Sequence, residues 1–285
     1  MRWRKVTFGA LSLLIVYVLA PDGTVPMTRL PRAPARRANT RGYSDPGRAR
    51  SCPRDHATVA AMITLHAFAR VHPMVHGLTR DLRAQWALEE LEVPYHVRGL
   101  DHTGGEMNGD EFRRISPFKQ LPVIEDDGFV LAESGEILLY LAEKAGRLAD
   151  PKHRATVVRW CFAALTTVEP VMQTIVLVDM ENKTDDSSKE RRASLVKVAD
   201  RVLGGVETWL GEHAYVTGAE FTVADILMTT VLRQARHAGL LANYPRCEAY
   251  RQACEARPAW ARTVAAYEAR LGAEPGAVKR AAEPA

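Results

Sequence analysis

Two short stretches carry residue types and spacings that go beyond packing. Phe118-Lys119-Gln120-Leu121-Pro122-Val123-Ile124 reads as a loop, a Leu-Pro step and an apolar strand. Proline removes a ladder donor and restricts the residue before it, so it belongs at the first residue or the edge of a strand. If the Leu121-Pro122 bond is cis, a form used mainly by proline, the Leu121 amide and carbonyl face open space and can pair with an extended peptide. Ten residues further on, after the turn Asp126-Asp127-Gly128 and the short strand Phe129-Val130-Leu131, Glu133-Ser134 opens an amphipathic helix. His66, His72 and His76 are candidate general bases by residue type. Cys52, Cys161, Cys247 and Cys254 show no CxxC and no Cys/His metal spacing. Cys247 and Cys254 lie two helical turns apart, too far to bridge. Reduced, mostly buried thiols and no metal are the expectation.

These residues need a scaffold, and the chain supplies one from Met62 onward. Ile63 to Phe68 alternates and is β-prone. A helix from Thr79 or Asp81 to about Glu92 carries Leu82, Trp86, Leu88 and Leu91 on its apolar side, and Pro94 ends it. Tyr95-His96-Val97 is a second strand and Asn108 to Ile115 a short helix. The order β-α-β-α-β-β-α over about 80 residues is that of a thioredoxin-like α/β domain, 62–145. Gly146 to Lys152 reads as a linker, and strands then disappear. An all-helical domain over 153–271 is expected. Its first long helix runs from Arg154 to about Met180 with a kink at Glu169-Pro170. A loop follows over Glu181 to Glu190, then helices at Ser194–His213, after Phe221, at Tyr244–Ala256 and at Pro258–Leu271. Thr222 and Asp225 are spaced as a capping box with Asp in place of Glu or Gln, a folding role. Residues 272–285 read as a disordered tail.

Charge divides the chain unevenly. Residues 1–61 hold 11 Lys/Arg against 3 Asp/Glu, whereas 62–285 hold 27 against 31. The body therefore has no basic excess calling for nucleic acid. Residues 1–20 combine Arg2, Arg4 and Lys5 with an apolar run of signal-peptide length, and 21–61 carry six prolines and eight arginines. This segment reads as an extension upstream of a start at Met62, as a signal or anchor, or as an arginine-rich interaction tail.

Four segments, in order and spacing, carry a resemblance. They are Trp86-Ala87-Leu88-Glu89-Glu90-Leu91 with Val93-Pro94-Tyr95, Ser116 to Val123, Glu133 to Leu141, and Thr222-Val223-Ala224-Asp225. Together they resemble the glutathione S-transferase superfamily, of bacterial cytosolic type, over about residues 62–271. The resemblance implies a glutathione-binding N-terminal half, a hydrophobic acceptor pocket in the helical half, and a homodimer. It implies glutathione as substrate, no metal, no nucleic-acid or membrane partner, and a detoxifying role in the cytoplasm for a chain starting at Met62.

Within that resemblance each residue has a physical part. Leu121, beside Pro122, hydrogen-bonds the cysteinyl backbone as a strand would. Glu133 holds the γ-glutamyl ammonium, and Ser134 at a helix start meets the γ-glutamyl carboxylate. Gln120 reaches another part of the peptide, and Lys119 or Arg113 meets the glycyl carboxylate. The nucleophile is the thiolate, which a free thiol of pKa about 8.5 scarcely supplies at neutral pH. Relatives lower it with Tyr, Ser or Cys near the start of the first helix. Here Leu78-Thr79-Arg80-Asp81 fills that slot. Thr79 is its only hydroxyl, a thiolate donor assisted by Arg80 or else a plain helix cap; Asp81 reads as a cap or a salt-bridge partner. The expected activity is conjugation of glutathione to a small hydrophobic electrophile, or exchange with a disulfide. The alternatives are a non-catalytic glutathione-binding protein of the same fold and a glutathione-dependent isomerase or dehalogenase.

Overall fold

Strand β1 (Ile63–Phe68) is the spine of a four-stranded sheet of order β2-β1-β3-β4. Its Ile63, Leu65 and Ala67 are wholly buried, as the alternation requires. β2 (Tyr95–Leu100) runs parallel to it, with Ile63 opposite Tyr95. β3 (Val123–Asp126) and β4 (Phe129–Ala132) are antiparallel, with Leu65 opposite Ile124 and Ile124 opposite Leu131. The parallel pair is joined through α1 (Asp81–Glu90), the antiparallel pair by the turn at Asp127-Gly128, both at positive φ. α2 (Asp110–Ile115) precedes β3, and α3 (Ser134–Lys144) follows β4. This is the thioredoxin-like α/β half. The computed structural model describes residues 62–281 other than 182. The expected N-terminal extension, with Cys52, lies outside the described residues.

The helical half begins with α4 (Pro151–Phe162), capped by Asp150, whose carboxylate accepts from the His153 N–H. It passes through a π turn, Ala163–Val168, into α5 (Glu169–Met180). A kink at Glu169-Pro170 is the sequence expectation. Pro170 cannot donate to the carbonyl one turn earlier, and the helix widens just ahead of it instead. By length and composition Pro151–Met180 could span a bilayer, yet half of its most apolar window is buried.

α6 (Asp186–Trp209) starts within the stretch expected to be loop. Its first turns are polar all round, so periodicity does not betray them. Asp185 caps it by accepting from the Ser188 N–H at 3.0 Å. α7 (Val223–His237) is buried on every side from Val223 to Ala235, and its capping box is formed: Thr222 Oγ1 accepts from the Ala224 N–H and Asp225 Oδ2 from the Thr222 N–H. α8 (Pro245–Glu255) and α9 (Pro258–Leu271) follow. The expected disordered tail is corrected over 272–281. Residues Ala277–Ala281 form a short α10, and Val278 is 1% exposed beneath the Arg233 guanidinium, which donates to its carbonyl at 2.7 Å.

One hydrophobic core runs through both halves. Trp86 of α1 is its hinge pin, with ring centroids 4.6 Å from Trp260 and 6.1 Å from Phe221. The halves are thereby packed on a shared aromatic seam, which fixes the middle of α1 against the helical half.

Candidate functional site

The Leu121-Pro122 bond is cis. The loop before it is braced by Ser116, which the sequence reading placed in a family-like segment without giving it a role of its own. Ser116 Oγ accepts from the Gln120 N–H at 2.8 Å and donates to the Gln120 carbonyl at 2.9 Å. Lys119 sits at φ +55°. The ladder starts only at Val123, opposite His66, so Leu121 lies two residues outside the sheet with its backbone groups unused by it. This is an edge on which an extended peptide can add a strand.

Glu133, the residue before α3, has φ +70°, a conformation that costs a non-glycine side chain about 1–3 kcal/mol. It turns the chain sharply from β4 into α3, and Ser134 becomes the first helical residue, its side chain 5% exposed. The first-turn amides of α3 then point out of the helix start, where an anion is favoured.

Gln120, Leu121, Pro122, Glu133 and Ser134 line one shallow cleft with Ser116, Pro117, Phe118, Ala132 and Arg80. All five expected binding residues are thus brought together, and Arg80 with them. Thr79 does not line it. Its hydroxyl lies 2.6 Å from the Tyr267 hydroxyl, which also accepts from the Gly77 N–H at 3.4 Å. Lys119 and Arg113 are also outside the cleft lining; their charges engage Asn108 and Asp110. Asp81 is fully buried, accepts from the Phe68 N–H and pairs with Arg270 at 3.0 Å. The residue capping α1 is Arg80, with no side-chain cap bond.

Arg80 and Arg83 are tied down from the other half. Glu169, at the start of α5 just past the π turn, is 2% exposed and accepts from Arg83 Nη2 at 2.8 Å and from Arg80 Nε at 3.4 Å. Arg80 also donates to Gln173 at 3.2 Å. Arg83 reaches Thr230 Oγ1 at 2.9 Å and Ser134 Oγ at 3.5 Å. Burial by itself would push the Glu169 carboxyl up; the two guanidiniums beside it overcome that and hold it at about 2. The cleft therefore has a cationic floor whose charge is fixed across the seam between the halves. Arg83 alone in the apolar run Leu82-Arg83-Ala84 was the available sequence signal, since a buried charge needs a partner.

The histidines lie elsewhere. His66 is buried beside Glu125, and burial lowers its pKa. His72 Nδ1 accepts from the Met74 N–H, and burial also lowers the pKa of His76. None lines the cleft. Cys161, Cys247 and Cys254 are free and buried. Among the described residues no cluster of three His, Cys, Asp or Glu side chains could hold a metal ion.

Comparison with known proteins gives this arrangement a family. Residues 74–143 match the model of the glutathione S-transferase N-terminal domain, and residues 170–269 that of the C-terminal domain. Glutathione S-transferase F14 of Arabidopsis thaliana is 27% identical over 201 residues, covering 64% of this chain and 77% of that protein. Glutathione S-transferase theta-3 of Mus musculus is 29% identical over 180 residues, 58% of this chain and 73% of the relative. Among solved structures, a glutathione transferase family member from Pseudomonas fluorescens with two glutathione bound superposes with a TM-score of 0.62 at 24% identity, over 73% of this chain and 94% of that one. The cleft residues all lie within the first family match, and the second begins at Pro170, one residue after Glu169. A thioredoxin-like sheet, a helical half packed on its first helix, and both matching domains in sequence order place this chain in the glutathione S-transferase superfamily.

Proposed function

We propose that the protein binds glutathione in the cleft around Leu121 and Ser134 and transfers its thiolate to a small hydrophobic electrophile. The observation that carries this reading is the convergence of Gln120, Leu121, Pro122, Glu133, Ser134 and Arg80 on one cleft. Leu121 pairs with the cysteinyl backbone, Glu133 takes the γ-glutamyl ammonium, and Ser134 with the α3 amides takes the γ-glutamyl carboxylate. Arg80, 29% exposed, supplies the positive charge that favours thiolate over thiol. The sulfur then bonds to the electrophilic carbon, the leaving group departs with the bonding pair, and the thiol proton passes to water. Exchange with a disulfide uses the same thiolate. We further propose that Thr79 acts by holding the loop through Tyr267, and that the protein works as a homodimer with glutathione as its only cofactor-like substrate.

A second reading, a glutathione-binding protein without efficient turnover, is favoured by one observation: the only hydroxyl of the slot is already engaged by Tyr267. The test is turnover of the full chain with glutathione and chlorodinitrobenzene, beside a disulfide-exchange assay and calorimetric glutathione binding. Turnover in either assay supports transfer. Binding without turnover supports the second reading, and absence of binding overturns both. Light scattering reads the oligomeric state.

A further inference from the structure

Two arginines meet one carboxylate behind the cleft, and they do not share it equally. Arg83 grips both oxygens of Glu169, with Nη2 on Oε1 at 2.8 Å and Nη1 on Oε2 at 3.3 Å. Arg80 reaches Oε1 only through Nε, at 3.4 Å, and Gln234 donates to that same oxygen at 3.4 Å. Against the upward push of burial, Arg83 does more than Arg80 to hold the Glu169 carboxyl low. The charge of Glu169 is thus claimed chiefly by Arg83, which does not line the cleft, whereas Arg80 does.

The second partner of Arg80 is neutral. Gln173 Oε1 accepts from Arg80 Nη2 at 3.2 Å. Glu169 and Gln173 stand four residues apart on α5, on one face, and hold the guanidinium at two points. An amide oxygen fixes the direction of a guanidinium without cancelling its charge, and a carboxylate in its place would do both. The remaining carboxylates nearby have other partners. Asp81, next in the chain, is fully buried and paired with Arg270 at 3.0 Å. Among the described residues Glu133 is the one carboxylate that lines the cleft, and in the glutathione reading it meets the ammonium of the ligand.

We infer that Gln173 is a positioning residue for the reacting sulfur: a neutral acceptor that aims Arg80 at the cleft and leaves its charge uncancelled. The inference rests on glutathione occupying the cleft, and adds the residue that sets how much of the bound thiol is ionised.

The test is a pH titration of the thiolate of glutathione bound to the full chain, followed by ultraviolet difference absorbance, in the parent, Gln173→Glu and Gln173→Met. Gln173→Glu keeps the acceptor and adds the countercharge. At a pH below the thiol midpoint it should lower the thiolate fraction about tenfold, and less at high salt. Gln173→Met keeps the bulk and removes the acceptor, which frees Arg80 to turn to water, and should lower that fraction about threefold. Urea denaturation separates the roles, because a residue that serves folding alone would cost stability and leave the titration where it was. A bound thiol that titrates alike in the parent and in Gln173→Glu, or a parent whose bound thiol titrates as free glutathione does, would overturn the inference and leave glutathione binding intact. Glutathione that fails to bind the parent overturns the underlying reading, and this inference with it.

Discussion

Replacing Glu169 with Gln tests the cationic floor directly. The substitution keeps the shape and one acceptor oxygen but removes the countercharge of Arg83, which is 1% exposed and cannot turn to water. Arg83 keeps its bond to Thr230 Oγ1. Arg80, 29% exposed, can be rehydrated, so its share of the loss is small. Breaking one side of a buried pair costs about 3–5 kcal/mol, and the retained Gln acceptor points to the lower end. A second route gives the same size. A carboxyl held at about 2 instead of its ordinary 4.5 contributes about 3 kcal/mol at neutral pH. The carboxylate is the stabilised form, so this contribution is complete above about pH 4.5 and is lost as the pH falls through about 2. Urea denaturation at neutral pH should therefore show Glu169→Gln weaker by about 3 kcal/mol, and the gap to the parent should close on acidification. Glutathione affinity should fall as well, because Arg80 and the Arg83 contact to Ser134 both lose their anchor. A loss under about 1 kcal/mol, or a gap that does not depend on pH, would refute the idea that Glu169 is ionised and paired.

Other expectations follow from the same geometry. Ser134→Ala should raise the KM for glutathione about tenfold with little change in kcat, the mark of a group that holds the ground state and transition state alike. Thr79→Ala should cost about 1 kcal/mol in denaturation, the worth of one hydrogen bond, and Tyr267→Phe about 2 kcal/mol, because it also leaves the Gly77 N–H without its acceptor. They should leave the pH dependence of turnover in place; a rise in the apparent thiol pKa would instead put Thr79 at the sulfur. Gly77→Ala should destabilise by about 2 kcal/mol or more, since Gly77 has φ +74° and a Cβ would sit 2.7 Å from Val278 Cγ1. Thermal melting reads that loss.

What the sequence made readable was what is local. Leu121-Pro122, the Glu133-Ser134 helix start and the Thr222/Asp225 cap each depend on residues within a few positions, and their placement in one cleft and one cap followed from strand and helix order. The polar first turns of α6 were missed because nothing apolar marks their phase. The cationic floor was missed for a different reason. Arg83 and Glu169 are 86 residues apart, and Thr79 and Tyr267 are 188 apart. No periodicity encodes such pairs. Only the packing of α1 against α5, α7 and α9 brings them together, and the π turn before Pro170 sets the phase at which Glu169 arrives.

The anchoring of Gly77 has a consequence for biosynthesis. Its N–H is held by Tyr267, and Arg233 donates to its carbonyl while also gripping Val278. At ribosomal speeds of about 5–20 residues per second, the 190 residues separating Gly77 from Tyr267 take about 10–40 s to synthesise. The sheet and the cleft residues leave the ribosome early, but the loop that carries Thr79 and Arg80 waits for the end of the chain. A nascent protein can therefore hold a formed cleft edge beside an unfinished slot, and a message truncated after α8 would leave it that way.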